Sequence, residues 1–202
     1  MLRFRSAEHP FDNSAVAGQA ARLLALVESL GVWQPHSSVE VLDRRVFIDA
    51  LGAIAQAGVG RIAAVEWERY ADKAPEEFAN WIKRLRDDVA ASPVPELELP
   101  NLDALFGTER LSASLGVATS SLRRYLAQDR DVPDEVAERA HMLARIVNDV
   151  AGSYNERGVR RWFERPRPQL EGRAPAAILS GPWDPDDPDV GKVAALAAEL
   201  AS

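Results

Sequence analysis

Apolar residues recur along almost the whole chain at intervals of three and four, the period of an α-helix with one buried face. From about Ser14 to Leu30 the set Val16, Ala20, Leu23, Val27 and Leu30 follows this spacing, and Gly31 ends it. Ser37 and Glu40 then match a capping box, in which each side chain satisfies a free backbone donor. The helix behind it carries Phe47, Ile48, Leu51, Ile54 and Ala55 on one stripe and stops near Gly58. A further helix, from about Gly60 to Tyr70, carries Ile62, Val65 and Trp67. Pro75 in a first turn opens another, with Phe78, Trp81, Ile82, Leu85 and Val89 aligned. Its other side, Lys83, Arg84, Arg86, Asp87 and Asp88, reads as a solvated face. Residues 1–12 read as a loose lead-in. The pattern predicts an all-α fold, with residues 1–92 as a helical N-terminal module that shows no catalytic chemistry.

The segment SPVPELELP, Ser92–Pro100, holds three prolines in nine residues. Proline removes a backbone donor and biases its neighbour away from the helix, so residues 93–100 are expected to be an extended linker. Leu102, Leu105 and Phe106 then make a short apolar turn. Residues 101–132 follow as a helix-turn-helix. Leu111 and Leu115 share one face of a first helix, and Gly116 suits the left-handed conformation that stops a helix sharply. Val117 plugs the turn, small Ser112 sits where the helices cross, and Leu122, Tyr125 and Leu126 turn inward from a second helix. Thr119, Ser120, Arg123 and Arg124 fall largely on its outer face. This is the arrangement whose second helix enters the DNA major groove, although a plain helical hairpin has the same pattern. Arg123 is the candidate for bidentate bonds to guanine, and Thr119 and Ser120 lie at the helix start, where a backbone phosphate binds.

Beyond Pro133 a long helix to about Val150 buries Val136, Ala140, Leu143, Ile146, Val147 and Val150. A second follows Gly152 through Val159, Trp162 and Phe163, with Trp162 expected in the core. Six arginines (157, 160, 161, 165, 167 and 173) stand between positions 157 and 173, against Glu156, Glu164 and Glu171 nearby. Next comes GPWDPDDPD, Gly181–Asp189, which lacks the glycine turn and terminal glutamate of a calcium-binding EF-hand. It reads as a rigid acidic loop before a last helix, Val190–Leu200. Trp183 in this loop either packs on its own domain or anchors a partner. Arg160, Arg161, Arg165 and Arg167 either pair with the nearby acids or meet an acidic partner surface or DNA phosphate.

Composition narrows the classes. The chain has 202 residues, 47% of them hydrophobic, which excludes disorder throughout. It has no cysteine, and its histidines (His9, His36 and His141) are scattered, so no metal site is expected. A net charge of −7 argues against nonspecific coating of nucleic acid without excluding a local DNA-reading face. Between Asn101 and Asp131 the charges balance, Arg110, Arg123, Arg124 and Arg130 against Asp103, Glu109, Asp129 and Asp131. One such motif gives little affinity, whereas a two-fold pair reading two half-sites multiplies it. A homodimer is therefore expected, with apolar residues of the N-terminal module as its interface. No long apolar run or signal-peptide core occurs, which predicts no membrane association and a cytoplasmic location.

The block RRWFERPRPQLEGRAPAAILSGPWDPDDPDVGKVAALAAEL resembles the C-terminal toxin-binding domain of Xre/MbcA/ParS antitoxins. The resemblance rests on Trp162 ending a helix, a proline-containing loop, and Leu170–Glu171–Gly172. Arg173, Ala174 and Pro175, a short Ala176–Leu179 helix, a loop, and a last helix with Val193 and Leu196 complete it. In that family the domain follows an Xre-like helix-turn-helix, as here, and the likeness covers roughly residues 101–202. It implies that residues 133–202 are a toxin-binding domain with a RES-domain toxin as partner, an enzyme class that consumes NAD or transfers its ADP-ribose. It also implies that the protein covers the toxin's active site and that the complex binds its own promoter, the operator DNA. Two features depart from the family. The N-terminal hundred residues exceed a minimal member, and Ala201–Ser202 lack a glycine-bearing tail, so contacts through such a tail are not expected.

The resulting expectation is a type II antitoxin-like, DNA-binding autorepressor that needs no cofactor. DNA contacts fall to Thr119, Ser120, Arg123 and Arg124, and toxin contacts to Arg160, Arg161, Arg165, Arg167 and Trp183. The alternative is a standalone helix-turn-helix regulator whose N-terminal helices bind another protein or an effector. An enzyme has little support, because no nucleophile–base pair, phosphate-cradling glycine loop or metal cluster is apparent.

Overall fold

The structure, a computed structural model, describes residues 4–35, 39–59 and 63–200. It is about 66% helical, with eleven α-helices and one two-stranded sheet among the described residues, so the fold is all-α. The chain divides into two compact units, Met1–Ser92 and Pro93–Ser202.

In the first unit, β1 (Ser6–Ala7) pairs in parallel with β2 (Val41–Leu42), Ser6 opposite Val41 and Ala7 opposite Leu42. Within the expected lead-in of residues 1–12, Ser6–Ala7 is thus a strand and not loose. Phe11 is fully buried and meets the ring of Phe47 at 5.0 Å and that of Phe78 at 5.8 Å. Four helices follow: α1 (Ser14–Ser29), α2 (Arg44–Gln56), α3 (Ala63–Ala71) and α4 (Pro75–Ala90). Asn13 caps α1 by accepting from the backbone N–H groups of Ala15 and Val16. The cap of α2 is Asp43, which accepts from Val46 at 2.8 Å, and not the expected Ser37–Glu40 box. Ser37 lies outside the described residues, as does Ile62. Helices α1 and α4 pack along their apolar stripes, Val16, Leu23 and Val27 with Trp81, Ile82, Leu85 and Val89, all buried. Ile48, expected on the buried stripe of α2, is 45% exposed, because Phe47, Leu51 and Ile54 already fill that face.

The second unit begins with a correction. The expected linker, residues 93–100, is largely helix: α5 runs Pro95–Phe106. Pro95 lies in the first turn, where a backbone donor has no intrahelical partner, and the Val94 carbonyl accepts from Leu97 and Glu98. Pro100 removes one internal bond on the exposed side. Burial of Leu99 and Leu102 on the opposite side offsets that loss. Next come α6 (Thr108–Leu115), α7 (Thr119–Leu126), α8 (Asp134–Ala151), α9 (Glu156–Glu164), a 3-10 turn (Pro168–Leu170), α10 (Pro175–Ile178) and α11 (Pro188–Ala198). Helix α8 is the spine: α5, α6, α9 and α11 all pack on it, and its buried stripe runs from Val136 to Val150. Residues 101–132 and 133–202 therefore share one core and are not separate domains. Among the described residues no helix is long and apolar enough to cross a membrane.

Candidate functional site

Helix α6 ends in a Schellman turn. Gly116 adopts φ +68° and ψ 30°, the N–H of Val117 donates to Ser112 O at 3.0 Å, and that of Gly116 donates to Ala113 O. A side chain is excluded twice over at Gly116. The conformation disfavours one, and a Cβ there would lie 2.5 Å from the carbonyl carbon of Gly181. Leu111, Leu115, Leu122 and Tyr125 close the angle between α6 and α7 from inside. Ser112, 4% exposed, donates its hydroxyl to Glu109 O at 2.9 Å, and its oxygen lies 3.1 Å from Thr119 Oγ1. With the serine proton engaged, the hydrogen between the two hydroxyls comes from Thr119.

Thr119 is thus half-buried and ties α7 to α6 instead of presenting its hydroxyl outward. Ser120, Arg123 and Arg124 are exposed, and neither arginine forms an ion pair among the described residues. Arg130 lies over the ring of Tyr125 at 5.7 Å, which leaves Arg123 and Arg124 as the free cations on the outer side of this helix.

The end of α6 is held by groups far away in sequence. The Gly181 N–H donates to Ala113 O at 2.9 Å, Trp183 Nε1 to Ser114 O at 2.6 Å, and Arg139 Nη1 to Leu115 O at 2.9 Å. Arg139 Nε also donates to Trp183 O at 2.7 Å. Ser114 O and Leu115 O, which the helix end leaves open, are satisfied from the 181–183 loop and α8, and Ala113 O takes a second bond beside that from Gly116. Trp183, 8% exposed, is therefore packed on its own unit and not displayed as a partner anchor. Arg139 escaped sequence reasoning. Its only signal was a place three residues after Val136, at the edge of the buried stripe.

A second pair missed in the sequence is Glu98 with His141. Both are buried, with Oε1 2.6 Å from Nδ1, and the same Oε1 accepts from the Val94 N–H at 3.3 Å. The contact joins α5 to α8. Glu98 Oε2 is buried with no hydrogen-bond partner among the described residues.

The arginine-rich segment divides into paired and unpaired members. Arg160 reaches Glu156 one turn earlier at 3.2 Å, Arg110 takes Glu164 at 2.6 Å, and Arg173 takes Asp189 at 2.7 Å. Hydrogen bonds from Lys192 and then Arg173 hold Asp189 below the ordinary carboxylate range. Arg161, Arg165 and Arg167 instead line a groove of about 240 Å³ together with Tyr154, Gly158 and Trp162. The guanidinium of Arg167 lies 5.2 Å above the Trp162 ring, which is itself buried in the core. Asp184 and Asp187 each accept from a backbone N–H two residues on, so Asp184 braces a turn of the acidic loop and Asp187 caps the start of α11.

Comparison with family models, with curated proteins and with solved structures found no match to the chain.

Proposed function

We propose that this protein is a noncatalytic, DNA-binding antitoxin that covers the active site of a RES-domain toxin and represses its own operon. The observation that carries the DNA half is the α6–α7 angle, braced at its inner end and presenting Ser120, Arg123 and Arg124 to solvent with both guanidiniums unpaired. Arg123 reads guanine and Arg124 meets phosphate. The toxin half rests on the resemblance of the C-terminal block and on the unpaired arginines Arg161, Arg165 and Arg167. Arg160, tied to Glu156, and Trp183, tied to Ser114, contribute to that face only by shaping it. Two copies pair so that both recognition helices reach one operator.

The experiment is a titration of the chain against its own promoter DNA by anisotropy, with co-expression beside a RES-domain toxin encoded next to it. Salt-sensitive specific binding and restored growth are expected. Absence of specific DNA binding removes the repressor half, and unrelieved toxicity removes the antitoxin half. A second reading, a regulator whose N-terminal helices bind an effector or another protein, is favoured by the separate aromatic core of residues 1–92. Specific DNA binding with no effect on the toxin selects it.

A further inference from the structure

We propose that the groove formed by Tyr154, Gly158, Arg161, Trp162, Arg165 and Arg167 is a binding site for a small organic phosphate of nucleotide type, a phosphate group carried on a flat ring. The site uses the same arginines that the antitoxin reading gives to the toxin face, but it requires neither a toxin nor DNA, and the test below uses the chain alone. Three permanently charged guanidiniums line one groove of about 240 Å³ whose lining contains no carboxylate. The acids on the same helix are already engaged, Glu156 by Arg160 and Glu164 by Arg110. Arg161 and Arg165 form no ion pair or hydrogen bond among the described residues, and Arg167 Nε is buried without an acceptor. Like charges gathered without counter-charge repel one another, and a bound dianion relieves this. Three forks suit the three free oxygens of a phosphomonoester better than the two of a carboxylate.

The rest of the groove selects the remainder of the ligand. Its volume exceeds that of one phosphate group, and beside the arginines stands Tyr154, 41% exposed. Gly158 makes room for that ring, since a Cβ on Gly158 would lie 2.8 Å from Tyr154 Cβ and 3.1 Å from its Cδ1. The tyrosine is thereby seated on α9 with part of its surface open, a platform on which a planar base stacks.

Isothermal titration calorimetry of the full chain with AMP, adenosine and inorganic phosphate tests this, alongside Arg161→Gln/Arg165→Gln and Tyr154→Ala. One AMP is expected per chain, with adenosine at least about tenfold weaker. The double arginine variant should lose AMP and phosphate alike. Tyr154→Ala should weaken AMP about tenfold while leaving phosphate unchanged, with melting temperatures of both variants at the parent value. No heat with AMP up to about 10 mM overturns the proposal, as does AMP binding that survives in the folded double variant. Duplex DNA that needs Arg161 and Arg165, and that AMP fails to displace, also overturns it and assigns these arginines to the nucleic-acid backbone.

Discussion

Trp183 donates its indole N–H to the backbone carbonyl of Ser114 at 2.6 Å, across 69 residues of sequence. This bond joins the acidic C-terminal loop to the end of α6. Arg139 spans the same joint by donating to Trp183 O and to the neighbouring Leu115 O. The geometry of the α6–α7 turn and that of the C-terminal loop therefore depend on each other.

Trp183→Phe keeps most of the ring and removes only the donor, so it should cost about 1–2 kcal/mol by leaving Ser114 O unsatisfied. Arg139→Leu removes two charge-assisted bonds and should cost more, about 2–4 kcal/mol. Urea titrations of the single and double variants check this. Because the two side chains brace the same turn, the double variant should lose less than the sum of the singles. Strict additivity would show that they act independently.

Gly116→Ala should destabilise the C-terminal unit by about 2–4 kcal/mol, combining left-handed strain with the clash against Gly181. Gly172→Ala is the control. Gly172 has φ +78°, and a methyl group there would meet nothing within 4 Å, so only the conformational part, about 1 kcal/mol, applies. Equal losses in the two variants would mean that the 181–182 backbone gives way.

The pair α6 and α7 was legible because its signals are local: leucines four apart, a glycine at the stop and polar residues on one side. The same locality misled at Pro93–Pro100. Proline rules describe an isolated helix, and only the tertiary burial of Leu99 and Leu102 explains why α5 continues through Pro100. Phe11 hides in a polar segment, and its burial depends on Phe47 and Phe78, far along the chain. At the candidate sites the arginine count was visible, but its division was not. Arg173 finds Asp189 across a loop, while Arg161 and Arg165, in the same run, are left for the groove. Trp183 looked equally suited to a partner or to its own unit, and only the position of Ser114 decides between them.

Asp149 offers a test by pH. Burial raises its pKa above the ordinary 3.8, more than the Asn148 hydrogen bond and the charge of Arg145 lower it. A raised carboxyl favours the folded state when protonated, so its contribution is complete below 3.8 and is lost as pH rises through the folded value. Asp149→Asn removes the charged form. It should raise the melting temperature at neutral pH and leave it nearly unchanged below pH 3.8. Asp189 runs the other way. Its contribution stands above 3.8 and falls away below it, so Asp189→Asn should lower the melting temperature slightly at neutral pH and less so in high salt. A drop for Asp149→Asn at neutral pH would mean that its ion is stabilised in the fold.

Thr119 and Arg123 lie four residues apart on α7 in opposite surroundings. The Thr119 hydroxyl bonds Ser112 Oγ inside the helix crossing, whereas Arg123 is exposed and unpaired among the described residues. Thr119→Val keeps the side-chain shape and deletes that bond, so it should lower stability by about 1 kcal/mol and leave the sequence preference of DNA binding intact. Arg123→Ala should leave the melting temperature unchanged. If the helix reads guanine, it should weaken binding to the operator by about 1–3 kcal/mol and relax the preference at one base pair. Arg124→Ala should instead weaken all sequences alike and make binding less salt-dependent, as for a phosphate contact. Anisotropy titrations against operator and scrambled duplexes at several salt concentrations, with a melting curve for each variant, separate the three. Operator affinity that survives Arg123→Ala and Arg124→Ala together would mean that α7 does not face the DNA. An equal loss from Thr119→Val and Arg123→Ala, in step with stability, would make the fold itself the cause.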